Sequence, residues 1–161
     1  MANDQFTIRP ARAEDADAIA GFVLAMALET EDEELDAEQV RAAVRTALAD
    51  PARAPYYLAV AAGPQDAAPQ PIGGLMFTRE WSDWNNAWYW WIQSVYVLPQ
   101  WRGRGVLRAL YDHLERLARE QGDVCALRLY VHESNTGAQA AYDRLGMIRR
   151  PFQVYERRLD E

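Results

Sequence analysis

The segment Val97-Leu98-Pro99-Gln100-Trp101-Arg102-Gly103-Arg104-Gly105-Val106-Leu107 is where this sequence most plainly carries chemistry. A strand-like run passes through a Gly/Arg loop into a run with helical spacing, so several backbone N–H groups are expected to lie free at a helix start. The helix dipole favours negative charge there, and glycine lets a ligand approach the backbone closely. Together these features predict a phosphate or pyrophosphate site. The plainer alternative is a strand-to-helix turn that binds nothing. The loop has no Gly-Lys-Ser/Thr and no full Gly-x-Gly-x-x-Gly, so neither a nucleotide P-loop nor a dinucleotide fold is indicated.

A second constellation is Asn135-x-x-Ala138-x-x-x-Tyr142-x-x-Leu145-Gly146-Met147. At about 100° per residue, seven positions bring Tyr142 back to nearly the same helix face as Asn135. Taken alone, Asn135 reads as an N-cap and Tyr142 as a core aromatic. The two motifs occur in order, about thirty residues apart, and with the expected elements around them they resemble the Gcn5-related N-acetyltransferase (GNAT) superfamily over essentially the whole chain. Its acetyl-CoA loop reads Arg/Gln-x-x-Gly-x-Gly/Ala after a strand ending Val-x-Pro. Gln100-x-x-Gly103-x-Gly105 matches literally, while Arg102-x-x-Gly105-x-Leu107 keeps the spacing from Val97 and Pro99 and is preferred. Leu107 then stands where the family usually has Gly or Ala.

The resemblance implies an acetyl-CoA-dependent N-acetyltransferase acting on a primary amine by direct attack. It assigns Arg102, Gly103, Arg104, Gly105, Val106 and Leu107 to the pyrophosphate through backbone N–H groups. The backbone of Val95, Tyr96 and Val97 would hold pantetheine and polarise the acetyl oxygen, and Asn135 would touch the pantetheine arm. The Tyr142 hydroxyl would protonate the departing thiolate. Many relatives carry a glutamate base on the fourth strand, but here that region, Trp88 to Gln93, has no carboxylate. The candidate bases are Glu80, expected opposite Tyr89 across a hairpin, then Glu29 or Glu31 at the end of the first helix, or an ordered water. Each acid also has the simpler reading of a solvated surface charge. In the same family the stretch between the first two helices borders the acceptor. Here it holds seven acids from Glu29 to Glu38, so a small cationic acceptor is expected. The alternative is a non-catalytic acyl-CoA sensor on the same fold.

Composition narrows the field. With a net charge of −7, the molecule's field opposes nucleic-acid binding. All 17 basic residues are arginine, which excludes lysine nucleophiles. One cysteine, Cys125, and two histidines, His113 and His132, suit neither a disulfide framework nor a metal cluster, so no metal is expected. Without a histidine spaced to activate it, Cys125 reads as a small buried hydrophobe. No apolar run reaches the length of a membrane span and the N-terminus lacks a leader pattern, so a soluble cytoplasmic protein is expected. Five of six tryptophans lie between Trp81 and Trp91, which points to core or to an interface between copies, hence a homodimer contact.

These residues must be positioned by a regular alternation of elements. Strands are expected at Phe6–Arg9, Tyr56–Ala62, Ile72–Glu80, Trp88–Val97, around Leu127–Val131, and at Phe152–Leu159, with an exposed connection at Gly63–Pro71. Helices are expected from Asp15 to Leu28, after an Asp36 cap to before Pro51, from Val106 to near Gly122, and from Asn135 to Gly146. The order β-α-α-β-β-β-α-β-α-β predicts a single α/β domain over residues 1–161. Its mixed central β-sheet would be flanked by helices on both faces.

Overall fold

The computed structural model describes residues 5–63 and 68–159 of the chain. Helix formation follows the sequence signals closely. Helix α1 (Ala16–Glu31) buries Ala16, Ile19, Ala20, Phe22 and Ala27, a single stripe, and stops where Asp32 turns left-handed at φ 54°. In α2 (Ala37–Ala49) the N-cap Asp36 Oδ1 accepts from Glu38 N at 2.9 Å and Gln39 N at 3.4 Å, which satisfies two otherwise free donors. Helix α3 (Val106–Gln121) buries Val106, Leu110, Leu114 and Ala118 at four-residue spacing and ends at Gly122. The short α4 (Thr136–Arg144) has no buried residue. No described helix is long and apolar enough to cross a membrane.

Five strands form one sheet: β1 (Phe6–Pro10), β2 (Tyr56–Ala61), β3 (Gln70–Ser82), β4 (Ala87–Val97) and β5 (Val124–Leu129) lie side by side in that order. All neighbours are antiparallel except β4 and β5, which are parallel with α3 as the crossover. The β3–β4 turn falls at Asp83–Asn86, where Ser82 Oγ accepts from Asn85 Nδ2 at 2.9 Å, and Glu80 pairs with Tyr89 as expected.

Helix α3 covers one face, packing on Ala59, Ala61, Ile72, Leu75, Phe77, Trp90 and Ile92. Helices α1 and α2 cover part of the other, over Leu58, Val60 and Tyr96. Gly74 makes this second packing possible, because a Cβ there would lie 2.9 Å from Leu58 Cδ2 and 3.6 Å from the Phe22 ring. The expected mixed sheet with helices on both faces is the fold observed.

Three local expectations are corrected. Residues Phe152 to Leu159 form no strand and are exposed throughout, because no strand edge among the described residues pairs with them. Cys125 is exposed rather than buried. It is the extra residue of a bulge, since Trp88 pairs with Val124 and Tyr89 with Ala126, and its Sγ donates to Trp88 O at 3.3 Å. Strand β5 also begins earlier than expected and ends before Val131. Of the connection Gly63–Pro71, positions 64–67 lie outside the described residues.

Candidate functional site

The site begins where two strands part. Pairing between β4 and β5 runs from Trp88/Val124 to Ile92/Leu129 and then stops, while β4 continues to Val97 with only β3 beside it. The parting coincides with a bulge. Met76 pairs with Ser94 and Phe77 with Ile92, so Gln93 is an extra residue that bends β4. Beyond it, the β5-facing edge of Val95, Tyr96 and Val97 has no neighbouring strand among the described residues, which leaves room for an extended ligand to pair with the backbone. The side chains of Val95 and Val97 pack into the core under α3.

At the top of β4 the chain makes a 3-10 turn at Pro99–Trp101 and enters the loop. Gly103 (φ 73°) and Gly105 (φ 83°) both adopt the left-handed conformation, which costs a non-glycine residue about 1–2 kcal/mol. Gly105 is the N-cap of α3 and no side chain caps the helix, so the N–H groups of its first turn remain available to an anion. Val106 is buried and Leu107 half-buried, so both can offer only backbone to such a ligand. Arg104 lies over the Trp101 ring at 5.3 Å.

Arg102 does different work from its loop neighbours. Its Nε donates to Val97 O at 2.9 Å, its Nη2 donates to Glu29 Oε2 at 2.6 Å, and its guanidinium lies 5.3 Å from the Tyr96 ring centre. Tyr96 in turn donates its hydroxyl to Glu29 Oε1 at 2.5 Å. The bond from Tyr96, aided by Arg102, holds the Glu29 carboxyl below the usual carboxylate range. Burial, then the hydrogen bond to Glu29 and its charge, pushes the Tyr96 phenol up. Both Glu29 oxygens are thus engaged, which suits an anchor between α1, β4 and the loop better than a proton acceptor.

Asn135 is the N-cap of α4, with Oδ1 accepting from Ala138 N at 3.0 Å. Tyr142 is half-buried, its hydroxyl has no hydrogen-bond partner among the described residues, and its phenol is pushed up by burial. A phenol so placed stays protonated and ready to donate. Helix α4 is tied to α3 by Arg108 Nη2, which donates to Arg144 O at 2.7 Å.

The sheet face that α1 leaves uncovered carries the remaining candidate. Glu80 Oε2 accepts from Trp91 Nε1 at 2.7 Å and Glu80 Oε1 lies 3.8 Å from Arg128 Nη1. Arg128 stacks at 3.4 Å on Tyr89, and Trp91 stacks on Tyr130 at 4.5 Å. The sequence reading missed Arg128 and Tyr130. Their only signal was alternation along β5, which cannot reveal a partner on β4. The tryptophans divide: Trp90 stacks on Phe77 in the core at 4.4 Å, whereas Trp91 faces this open side. Glu31, Asp32, Glu33 and Glu34 are exposed at the end of α1.

No curated protein sequence matches the chain. Among solved structures, a possible acetyltransferase from Clostridium difficile 630 is 33% identical, with TM-score 0.85, covering 96% of this chain and 98% of its own. The fold is also that of a ribosomal-protein-alanine N-acetyltransferase from Brucella melitensis biovar Abortus 2308, with 19% identity, TM-score 0.70, and coverage of 96% and 99%. It is likewise that of the aminoglycoside N-acetyltransferase AAC(6')-Iy in complex with CoA, with 18% identity, TM-score 0.75, and coverage of 96% and 95%. Residues 16–147 match the acetyltransferase (GNAT) family, and the chain belongs to that family.

Proposed function

We propose that this chain transfers an acetyl group from acetyl-CoA, the donor its family uses, to a primary amine. The observation that carries the reading is the parting of β4 from β5 after Ile92/Leu129, directly below the uncapped start of α3. Pantetheine would lie along Val95–Val97 and meet the Asn135 end of α4, while the pyrophosphate would sit on the N–H groups from Gly103 to Leu107. The neutral amine nitrogen attacks the thioester carbonyl carbon, whose oxygen is held by β4 backbone. The carbon–sulfur bond then breaks, and the thiolate takes the Tyr142 proton. The proton lost from nitrogen passes to a water held by Glu80, the half-exposed carboxylate on the open face.

The acceptor in this reading is a small cationic amine. Its support is the exposed Glu31–Glu34 segment at the end of α1, which attracts cations to that side. A second reading, an acyl-CoA sensor without turnover, draws on the engagement of Glu29 and Glu80 by neighbours. Amine-dependent release of free thiol from acetyl-CoA separates the two, since a sensor binds acetyl-CoA and releases none.

A further inference from the structure

We propose that Trp91 is the positioning residue for proton removal: its indole N–H draws the Glu80 carboxylate one row along the sheet, toward the place where β4 parts from β5. The proposal rests on the acetyl-transfer reading above. It adds the means by which a carboxylate on β3 serves chemistry held by β4.

The strand register reveals the displacement. Trp88, Trp90 and Ile92 pack under α3, so Tyr89 and Trp91 face the open side. Glu80 pairs with Tyr89, and Thr78 with Trp91, which sets these two rows about 7 Å apart along the strands. Glu80 Oε2 nevertheless accepts from Trp91 Nε1, at 2.7 Å, across the diagonal. The last β4–β5 pair is Ile92/Leu129, so the Trp91 row is the nearer of the two to the parting. The carboxylate is thereby carried toward Val95–Val97 rather than left standing over Tyr89.

Only one of its oxygens is engaged in doing so. Arg128 Nη1 lies 3.8 Å from Glu80 Oε1, beyond hydrogen-bonding distance, so Oε1 keeps its capacity to hold a water. Glu29 differs, because both of its oxygens accept bonds.

The indole is itself fixed. Tyr130 stacks on Trp91 with planes 22° apart, and the Arg128 guanidinium lies 5.5 Å from the Trp91 ring centre. Arg128 is seated in turn on Tyr89 at 3.4 Å. Thr78, which stands opposite Trp91, is occupied by Gln93 Nε2 at 2.8 Å and does not compete for the indole. An indole nitrogen only donates, and its ring has few torsions to order, so Trp91 is a rigid donor aimed at one oxygen.

Trp91→Phe keeps a ring at this position and removes the N–H. It is compared with Glu80→Gln and with the double variant, by free-thiol release from acetyl-CoA with the fastest acceptor among spermidine, kanamycin, lysine and tetralysine. The expected result for Trp91→Phe is kcat/KM for the amine about tenfold lower, with KM for acetyl-CoA within about threefold of wild type. The double variant should be no slower than Glu80→Gln alone, since the indole acts only through that carboxylate. A loss that adds to that of Glu80→Gln, or a raised KM for acetyl-CoA, makes Trp91 merely structural and overturns the proposal. Unchanged turnover in Trp91→Phe beside a slow Glu80→Gln also overturns it and leaves the acetyl-transfer reading intact. If Glu80→Gln is as fast as wild type, or no amine releases thiol, the underlying reading has failed and the proposal falls with it.

Discussion

Tyr96 donates its hydroxyl to Glu29 at 2.5 Å across 67 residues of sequence, and Arg102 reaches the same carboxylate from the loop at 2.6 Å. Three pieces of the site, the end of α1, the end of β4 and the approach to α3, are thereby held by one carboxylate.

Glu29→Gln is therefore expected to raise KM for acetyl-CoA about threefold to tenfold while kcat stays within about threefold, since the loop loosens but no proton acceptor is lost. The folded carboxyl lies below its ordinary value of about 4.3. Its stabilisation is thus present above that value and is lost as pH falls through the folded pKa. At 39% side-chain exposure it contributes less than about 1 kcal/mol. Thermal unfolding of wild type and variant should differ slightly at pH 7 and converge as pH falls through the folded pKa. A kcat that collapses with KM unchanged would make Glu29 the base instead.

Asp15 offers a larger effect of the same sign away from the site. Its buried carboxylate accepts from Arg9 at 2.7 and 2.9 Å and from Arg12 N at 2.7 Å, and Arg9 foremost holds its pKa down. Asp15→Asn should lower stability by about 1–3 kcal/mol at pH 7 in urea titrations. The deficit should shrink as pH drops below about 3.9, through the folded pKa. A deficit that persists undiminished at pH 2 would mean that packing, not charge, is what the substitution removes.

Gly105→Ala tests the anion site. A Cβ there meets nothing within 4 Å, so the folded chain has room, and the cost is the left-handed φ of 83° plus a methyl facing the ligand. Calorimetry should give CoA affinity reduced about tenfold or more, with pantetheine lacking the phosphates little changed. Equal losses for both ligands would move the pyrophosphate elsewhere.

Glu80→Gln should lower kcat/KM about tenfold to a hundredfold, a typical range for a lost general base, with CoA affinity unchanged. If kcat/KM is unaffected, solvent takes the amine's proton without help from this face.

What the sequence made legible was local. The Asp36 cap, the turn at Asp83–Asn86, the Gly103/Gly105 loop and the four-residue stripe of α3 each depend on a few neighbouring residues, and each is where it was expected. What stayed hidden was set by pairing across the chain. Phe152–Leu159 has strand composition but pairs with no strand among the described residues, and Cys125 is the extra residue of a bulge that only the β4 register discloses. The Glu29–Tyr96–Arg102 contact and the Glu80–Trp91–Arg128 cluster each join residues of three separate elements. Periodicity orients a side chain toward a face but does not name what meets it there.

The central claim is that this fold carries turnover, with Tyr142 as the proton donor to the leaving thiolate. Its most direct test is the rate of free-thiol release from acetyl-CoA with and without a panel of polyamines, aminoglycosides, amino acids and basic peptides, for wild type and Tyr142→Phe. The account predicts release that depends on a cationic amine, a kcat about a hundredfold lower in Tyr142→Phe, and CoA affinity within about threefold of wild type. Acetyl-CoA binding with no amine-dependent release, or an unchanged kcat in Tyr142→Phe, would contradict it.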